Sequence, residues 1–558
     1  MRTLRAAASG WVRAAGVAAL LLGLLAGPAF GQTPTQPVRV LQHLTLEGAT
    51  VFTRDDVLWL LALTIGEPLG GSAEELASEL QGHYRKGGYE AATVEGAYDA
   101  ASGRLTLQVD EGRIDEIEFT GIPAAQTSRF REQLGVRPGD LYNARQLRER
   151  LQPLLDASGG ALRIDRPGID LVSRDGRRIL VVPIDTRAVA VGFSVTTEGR
   201  EDFFSPVDGF APALAIDVTR FNATRFTHTF VNAYVTYKFA REEPGYSAGF
   251  EQQLLERPGL WAGATVHDLT ASDDLWRLST TEQSVVALTF RNTFRDYYRR
   301  RGTQVFAALR PHANHELVAS MRWDRHESLE NATDFAFFRD DHEFRPNAPI
   351  PPGRIRALVL AYSWDTRGVA DGTPARNYAQ HLIDDLFRGS RRQGFGARVD
   401  WTTEIAGHGL GGDREYDRHV LNARGYLPLT PRQSLAARAL LGFSNGELPP
   451  ERQFALGGIG SVHGYAFKEA RGGRMTLFNA EYRLDLLGRW EGPAGGVLRA
   501  LLFFDAGRVH DPIDSSSTDW LRGVGIGLQT GPVRVEFGFR ADDVPESRQV
   551  LVRLGSTF

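Results

Sequence analysis

Three side chains stand out for chemistry. Glu481 lies in Phe478-Asn-Ala-Glu-Tyr-Arg-Leu484, Asp505 in Leu502-Phe-Phe-Asp-Ala-Gly507, and His463 in Phe454-Ala-Leu-Gly-Gly-Ile-Gly-Ser-Val-His-Gly-Tyr465. Two carboxylates beside a histidine could serve general acid–base catalysis. The same trio could equally be a structural charge network, and the elements that carry it favour that reading. With a strand period of two, Asn479, Glu481 and Arg483 share one face, and Phe503, Asp505 and Gly507 share another. Neighbouring strands therefore offer carboxylates on a common side. The loop carries Phe454, Leu456, Ile459, Val462, Tyr465 and Phe467 together with Gly457, Gly458, Gly460 and Gly464. An apolar, glycine-rich loop predicts an inward fold with its backbone packed closely on another surface.

Other motifs carry less. Gly442-Phe-Ser-Asn-Gly446 matches a nucleophile elbow, but that motif needs a strand-to-helix turn. Glu447-Leu-Pro-Pro450 follows and cannot continue as a helix. His312 and His315 lack a third ligand, so no metal site is read. The loop glycines do not follow dinucleotide-binding spacing and have no βαβ context. No catalytic residue and no cofactor is expected, and the protein is not read as an enzyme.

At 558 residues the chain exceeds one domain of ~150 residues. A net charge of −4 gives no electrostatic case for nucleic acid. Cysteine is absent, which excludes disulfides and thiolate chemistry. The 60 glycines and 31 phenylalanines fit membrane strands, which need only alternate residues to be apolar. Residues 1–31 read as a signal peptide: Arg2, Arg5 and Arg13 precede an apolar run from Ala14 to Ala26 that is too short for a spanning helix of ~20 residues. A chain with no longer apolar run enters a membrane only as a barrel.

The loop and its acidic strands resemble the signature of the outer-membrane superfamily that joins POTRA domains to a transmembrane β-barrel. Its members include the BamA and TamA assembly proteins and the TpsB transporters of two-partner secretion. Val462-His463-Gly464-Tyr465 matches the family's Val-Arg-Gly-Phe/Tyr, with His463 in place of Arg. The resemblance implies a loop lock formed by Gly457, Gly458, Val462, His463, Gly464 and Tyr465. Its lumen partners would be Glu481, Arg483, Asp505 and Gly507, with Glu481 and Asp505 as the acidic pair flanking His463. The terminal Phe558 resembles the assembly signal of such barrels.

The rest of the chain is consistent with that. After a linker at 32–37, residues 38–112 read as strand, helix, helix, strand, strand. Thr53 caps a helix over Asp55 to Leu63, and Ser72-Ala-Glu-Glu75 is a capping box. Leu76, Leu80 and Tyr84 form one buried stripe. Residues 113–187 repeat the plan: strand Ile114 to Phe119, a helix capped by Asn143, and a closing hairpin. Both resemble POTRA domains, with Gly88-Tyr89 and Asp110-Glu-Gly112 as landmarks. From 188 to 558 apolar and polar residues alternate in ~10-residue segments. Leu317, Ala319, Met321 and Trp323 face opposite Val318, Ser320, Arg322 and Asp324; Val533, Val535, Phe537 and Phe539 face opposite Arg534, Glu536, Gly538 and Arg540. Seventeen candidate strands are found, and the even-number rule for bacterial barrels sets the expectation at 16, with 211–219 and 377–386 the weakest. Glu327 to Gly353 reads as an extracellular loop and Gly531-Pro532 as a periplasmic turn.

The expected fold is therefore β-rich: two periplasmic α+β POTRA domains and an antiparallel outer-membrane barrel. The resemblance implies a translocation or insertion factor, BamA/TamA-like, that takes unfolded outer-membrane or secreted polypeptide at the POTRA domains. Secretion of the TpsB type and a passive porin are the alternatives. Outer-membrane lipid is an expected partner, and the POTRA domains could also receive a periplasmic or inner-membrane protein. No nucleic acid is expected.

Overall fold

The computed structural model describes residues 39–165, 168–195, 201–338, 342–367, 395–486, 498–510 and 519–554. The signal stretch, the linker, the 377–386 candidate strand and Phe558 lie outside them. Contacts divide the chain into two compact units, 1–117 with 137–146 and 171–180, and 118–136 with 147–170 and 181–558.

In the first unit, β1 (His43–Glu47) precedes helices Arg54–Leu60 and Ala73–Lys86, then β2 (Thr93–Asp99) and β3 (Arg104–Asp110). β3 is central, parallel to β1 and antiparallel to β2. Both helices open on complete capping boxes, Thr53 with Asp56 and Ser72 with Glu75. The first helix stops short of Leu63, because Ala62 turns to φ 51°. Leu76, Leu80 and Tyr84 are buried beside Val57, Leu105 and Leu107. Glu111 closes the domain: its carboxylate accepts from the Thr50 and Val51 amides and from the Tyr84 hydroxyl. Burial opposes the Glu111 charge, but these bonds and that of the Thr50 hydroxyl hold its pKa below the usual range.

The elements that follow are β4 (Glu116–Thr120), helices Ala124–Leu134 and Ala144–Ala157, β5 (Leu162–Ile164), β6 (Asp170–Arg174) and β7 (Arg177–Thr186). The four strands form one sheet. Asn143 accepts from the Gln146 amide, as an N-cap does.

The second unit is dominated by a sixteen-stranded antiparallel sheet. β8 (Val189–Ser194) is followed by a small hairpin of β9 (Phe204–Ser205) and β10 (Gly209–Phe210). Then come β11 (Ala213–Asn222), β12 (Thr227–Lys238), β13 (Glu243–Leu255) and β14 (Gly259–Ala271). Helix Thr280–Phe290 precedes β15 (Tyr298–His312), β16 (His315–Ser328), β17 (Gly353–Asp365), β18 (Gly396–Ala406), β19 (Tyr416–Thr430) and β20 (Gln433–Asn445). The short β21 (Phe454–Leu456) and β22 (Ala470–Gly472) form a second hairpin, and β23 (Arg474–Asp485), β24 (Leu498–His510), β25 (Leu521–Thr530), β26 (Val533–Arg540) and β27 (Gln549–Leu554) complete the sheet. The strands pair in chain order, with β20 directly against β23. Among the described residues β8 and β27 are the two edges. The weak 211–219 candidate is a true strand, β11.

The sheet is apolar outside and charged inside. On β16, Leu317 and Trp323 are exposed while Glu316, Arg322, Asp324 and His326 are buried. On β26, Val533 and Phe537 are exposed, and Arg534 and Glu536 are buried. That is the solution for a strand between lipid and a polar lumen. The long connections at 195–212, 272–297, 329–352 and 446–473 share one end, and the tight turns at 313–314, 431–432 and 531–532 share the other.

Candidate functional site: the inward loop

Residues 446–473 leave β20 and return to β23 through the β21–β22 hairpin. Phe454, Leu456, Ile459, Val462 and Tyr465 are all buried. The sheet makes room for them with glycines. A Cβ on Gly507 would stand 2.6 Å from Leu456, and one on Gly442 2.4 Å from the Phe454 ring. The backbone is tied from elsewhere. Arg277 donates to the Ala455 carbonyl at 2.7 Å and the Gly457 carbonyl at 3.1 Å. Arg438 donates to the Gly460 carbonyl, and Asn479 to the Ser461 carbonyl. Gly458 takes a bond from its own amide to the Val462 carbonyl, which closes the turn.

His463 sits at the tip. Its Nδ1 is 2.6 Å from Asp505 and its Nε2 3.3 Å from Glu536. Its backbone amide also donates to Asp505 at 3.3 Å. The backbone of β26 passes so closely that a Cβ on Gly538 would lie 2.6 Å from the His463 Cβ. Gly464 (φ +84°) lies against β26 too: a side chain there would meet the Arg540 amide at 2.3 Å. Arg540 donates to the Gly464 carbonyl and covers the Tyr465 ring at 4.5 Å. His463 is on the loop, outside the spanning strands. Burial works against its imidazolium, but the Asp505 charge and the bonds to Asp505 and Glu536 prevail and push its pKa up to about 9.

The expected acidic pair is thus half present. Asp505 faces His463, but Glu536 is the second carboxylate there. Glu481 instead accepts from Arg483 at 2.5 Å and Arg534 at 2.7 Å. It joins the same network at one remove, because Arg534 also bonds Glu536 at 2.5 Å. The reason is position: β26 runs under the loop tip, and Glu481 lies further along β23. Glu536 had a signal in the sequence, since it occupies the polar face of an alternating strand beside Gly538. Arg277 had none, because a single Arg in a long connection carries no period. Each of these carboxylates is engaged by a cation in a buried site, an arrangement that holds a loop rather than processes a substrate.

Residues 394–558 match the Omp85 superfamily domain. Residues 189–380 match the C-terminal domain of a family of unknown function, DUF5686. A curated relative, the outer membrane protein assembly factor BamA of Nitratidesulfovibrio vulgaris, is 27% identical over 169 residues, 26% of this chain. The match spans only 20% of that protein's length. Among solved structures, BamA from Haemophilus ducreyi lacking POTRA domains 1–3 aligns at a TM-score of 0.47 and 14% identity, covering 92% of this chain and 98% of that one. CdiB from Escherichia coli aligns at 0.36 and 15%, covering 95% and 92%.

Proposed function

We propose that this protein inserts or exports polypeptide, taking unfolded clients at two POTRA domains and passing them to the barrel in the BamA/TamA manner. The domains are read as 38–112 and 113–187, with the barrel from 188 to 558. The observation that carries this reading is the loop tip seated on lumenal carboxylates, His463 between Asp505 and Glu536. A fixed inward loop suits a barrel that acts on its clients rather than one that only conducts. Gly457, Gly458, Val462, His463, Gly464 and Tyr465 form the loop lock, with Glu481, Arg483, Asp505 and Gly507 around it; Glu536 joins that set. Client binding uses strand addition: β2 is an edge of the first sheet, and an edge strand offers main-chain hydrogen bonds with little sequence demand. Strand pairing and burial of apolar surface drive the transfer. A periplasmic or inner-membrane protein could dock on the same domains.

The test is reconstitution. Liposomes carrying the full chain should accelerate insertion of a urea-unfolded outer-membrane barrel, read as its heat-modifiable band. Insertion no faster than in empty liposomes overturns the reading. A second reading, secretion of the TpsB type, is supported by the reading of residues 38–187 as two α+β domains. It predicts that deleting the gene abolishes export of one large secreted protein and leaves other outer-membrane barrels at normal levels.

A further inference from the structure

A group of phenylalanines at the extracellular end of the sheet is left uncovered. Phe210, Phe239, Phe290, Phe335, Phe337 and Phe338 are all exposed, the last two at 61%. Single exposed apolar residues are ordinary, but a contiguous patch marks a contact surface.

The register shows where the patch points. Leu214 pairs with Val235 across β11 and β12, and both are exposed on the outer, lipid-facing side. The Phe239 amide donates to the Phe210 carbonyl at 3.0 Å, which carries the pairing past the end of β11. Phe210 is four residues from Leu214, and Phe239 four from Val235, so by the strand period of two both rings continue the lipid-facing side upward. The connection at 329–352 then comes to them from a distance. It joins β16 to β17, and β16 is the fourth strand along from β12. Even so, its Ala332 and Thr333 amides donate to the Pro206 carbonyl, and its Phe337 and Phe338 amides to the Leu288 and Thr289 carbonyls. These bonds lead the loop across the top of helix Thr280–Phe290 to the β9–β10 hairpin. There Phe335 stands 6.2 Å from Phe210 and 5.6 Å from Phe337.

We infer that residues 329–338 form a lipid-contact ledge, with Phe335, Phe337 and Phe338 resting on the outer-leaflet acyl chains beside β11 and β12. The occupant follows from continuity: the patch is an unbroken extension of the belt that already meets acyl chains. Aromatic rings at a membrane–water boundary are well placed, since each has a large apolar face. The ledge fixes the rim above the first strands and couples the loop roof to the bilayer.

Because the chain has no cysteine, single-cysteine labelling tests this directly. Phe337→Cys and Phe338→Cys, each carrying an environment-sensitive fluorophore, are placed in phosphatidylcholine liposomes with spin-labelled acyl chains. Val235→Cys on the belt and Glu415→Cys on the exposed 407–415 connection serve as references. Heat-modifiable migration confirms that each variant is folded. Quenching at 337 and 338 should match that at 235 and exceed that at 415 by about twofold or more. Quenching equal to that at 415 overturns the proposal, because the ledge would then face water. Blue-shifted emission without quenching also overturns it, because protein rather than lipid would cover the patch.

Discussion

The first α+β unit, proposed above as a POTRA domain, and the sixteen-stranded sheet use the same physical rules with opposite signs. The POTRA domain puts Leu76, Leu80 and Tyr84 inside and leaves charges to water. The sheet puts Val231, Val235 and Phe537 outside and encloses Arg534, Glu536, Glu481 and Asp505. The difference lies in the solvent. Water on the outside of the POTRA domain rewards burial of apolar area. On the proposed membrane reading, lipid outside the sheet removes that reward and makes any outward charge costly. Stability of the sheet therefore rests on its continuous backbone pairing and on the enclosed charge network.

Four substitutions test that contrast. Leu80→Ala should have the largest effect, lowering POTRA stability by roughly 2–5 kcal/mol through lost burial and a cavity. Urea unfolding of the full chain, followed by proteolysis of the 39–112 region, measures it; an unchanged midpoint would mean this helix stripe is not core. Val231→Arg comes next. On the lipid face near the middle of β12 it should cost ~2–4 kcal/mol, although the side chain is exposed. Barrel unfolding in lipid vesicles reads this, and tolerance of Arg there would contradict the lipid-facing assignment.

The third concerns His463 and is on the order of 1–3 kcal/mol. Its folded pKa, about 9, lies above the unbound value of 6.5. The contribution is therefore fully present below about pH 6.5 and is lost as pH rises through about 9. Hydrogen-exchange protection of the 457–465 peptide, taken relative to the intrinsic exchange rate at each pH, should fall across that window. In His463→Arg it should not, because Arg stays protonated throughout. Identical pH profiles in the two proteins would show that His463 does not hold the loop by its charge. The smallest effect belongs to Trp59→Arg. Trp59 is 81% exposed on the water-facing POTRA domain. The change should stay within about ±0.5 kcal/mol, against the several expected at Val231. A large loss at Trp59 would erase the contrast between the two surfaces.

Much of this was legible in the residues because the relevant signals are local. Ser72 and Glu75 are three apart, so their capping box needs no tertiary knowledge. Arg322 and Asp324 face inward by the strand period alone. The candidate site was legible only in part. Asp505 and the apolar loop could be read, whereas the assignment of Glu481 to His463 was displaced by Glu536.

The sequence by itself determined the alternation, the capping and the inward character of the 446–473 loop, because each depends on spacings of two to four residues. Only the tertiary structure decided what the loop rests on. Arg277 bonds the Ile459 carbonyl from 182 positions away, and His463 meets Glu536 from 73. It likewise decided that Phe335 crosses the top of the sheet to Phe210. Those partners are set by which strands the curving sheet brings opposite one another, and no local period encodes that.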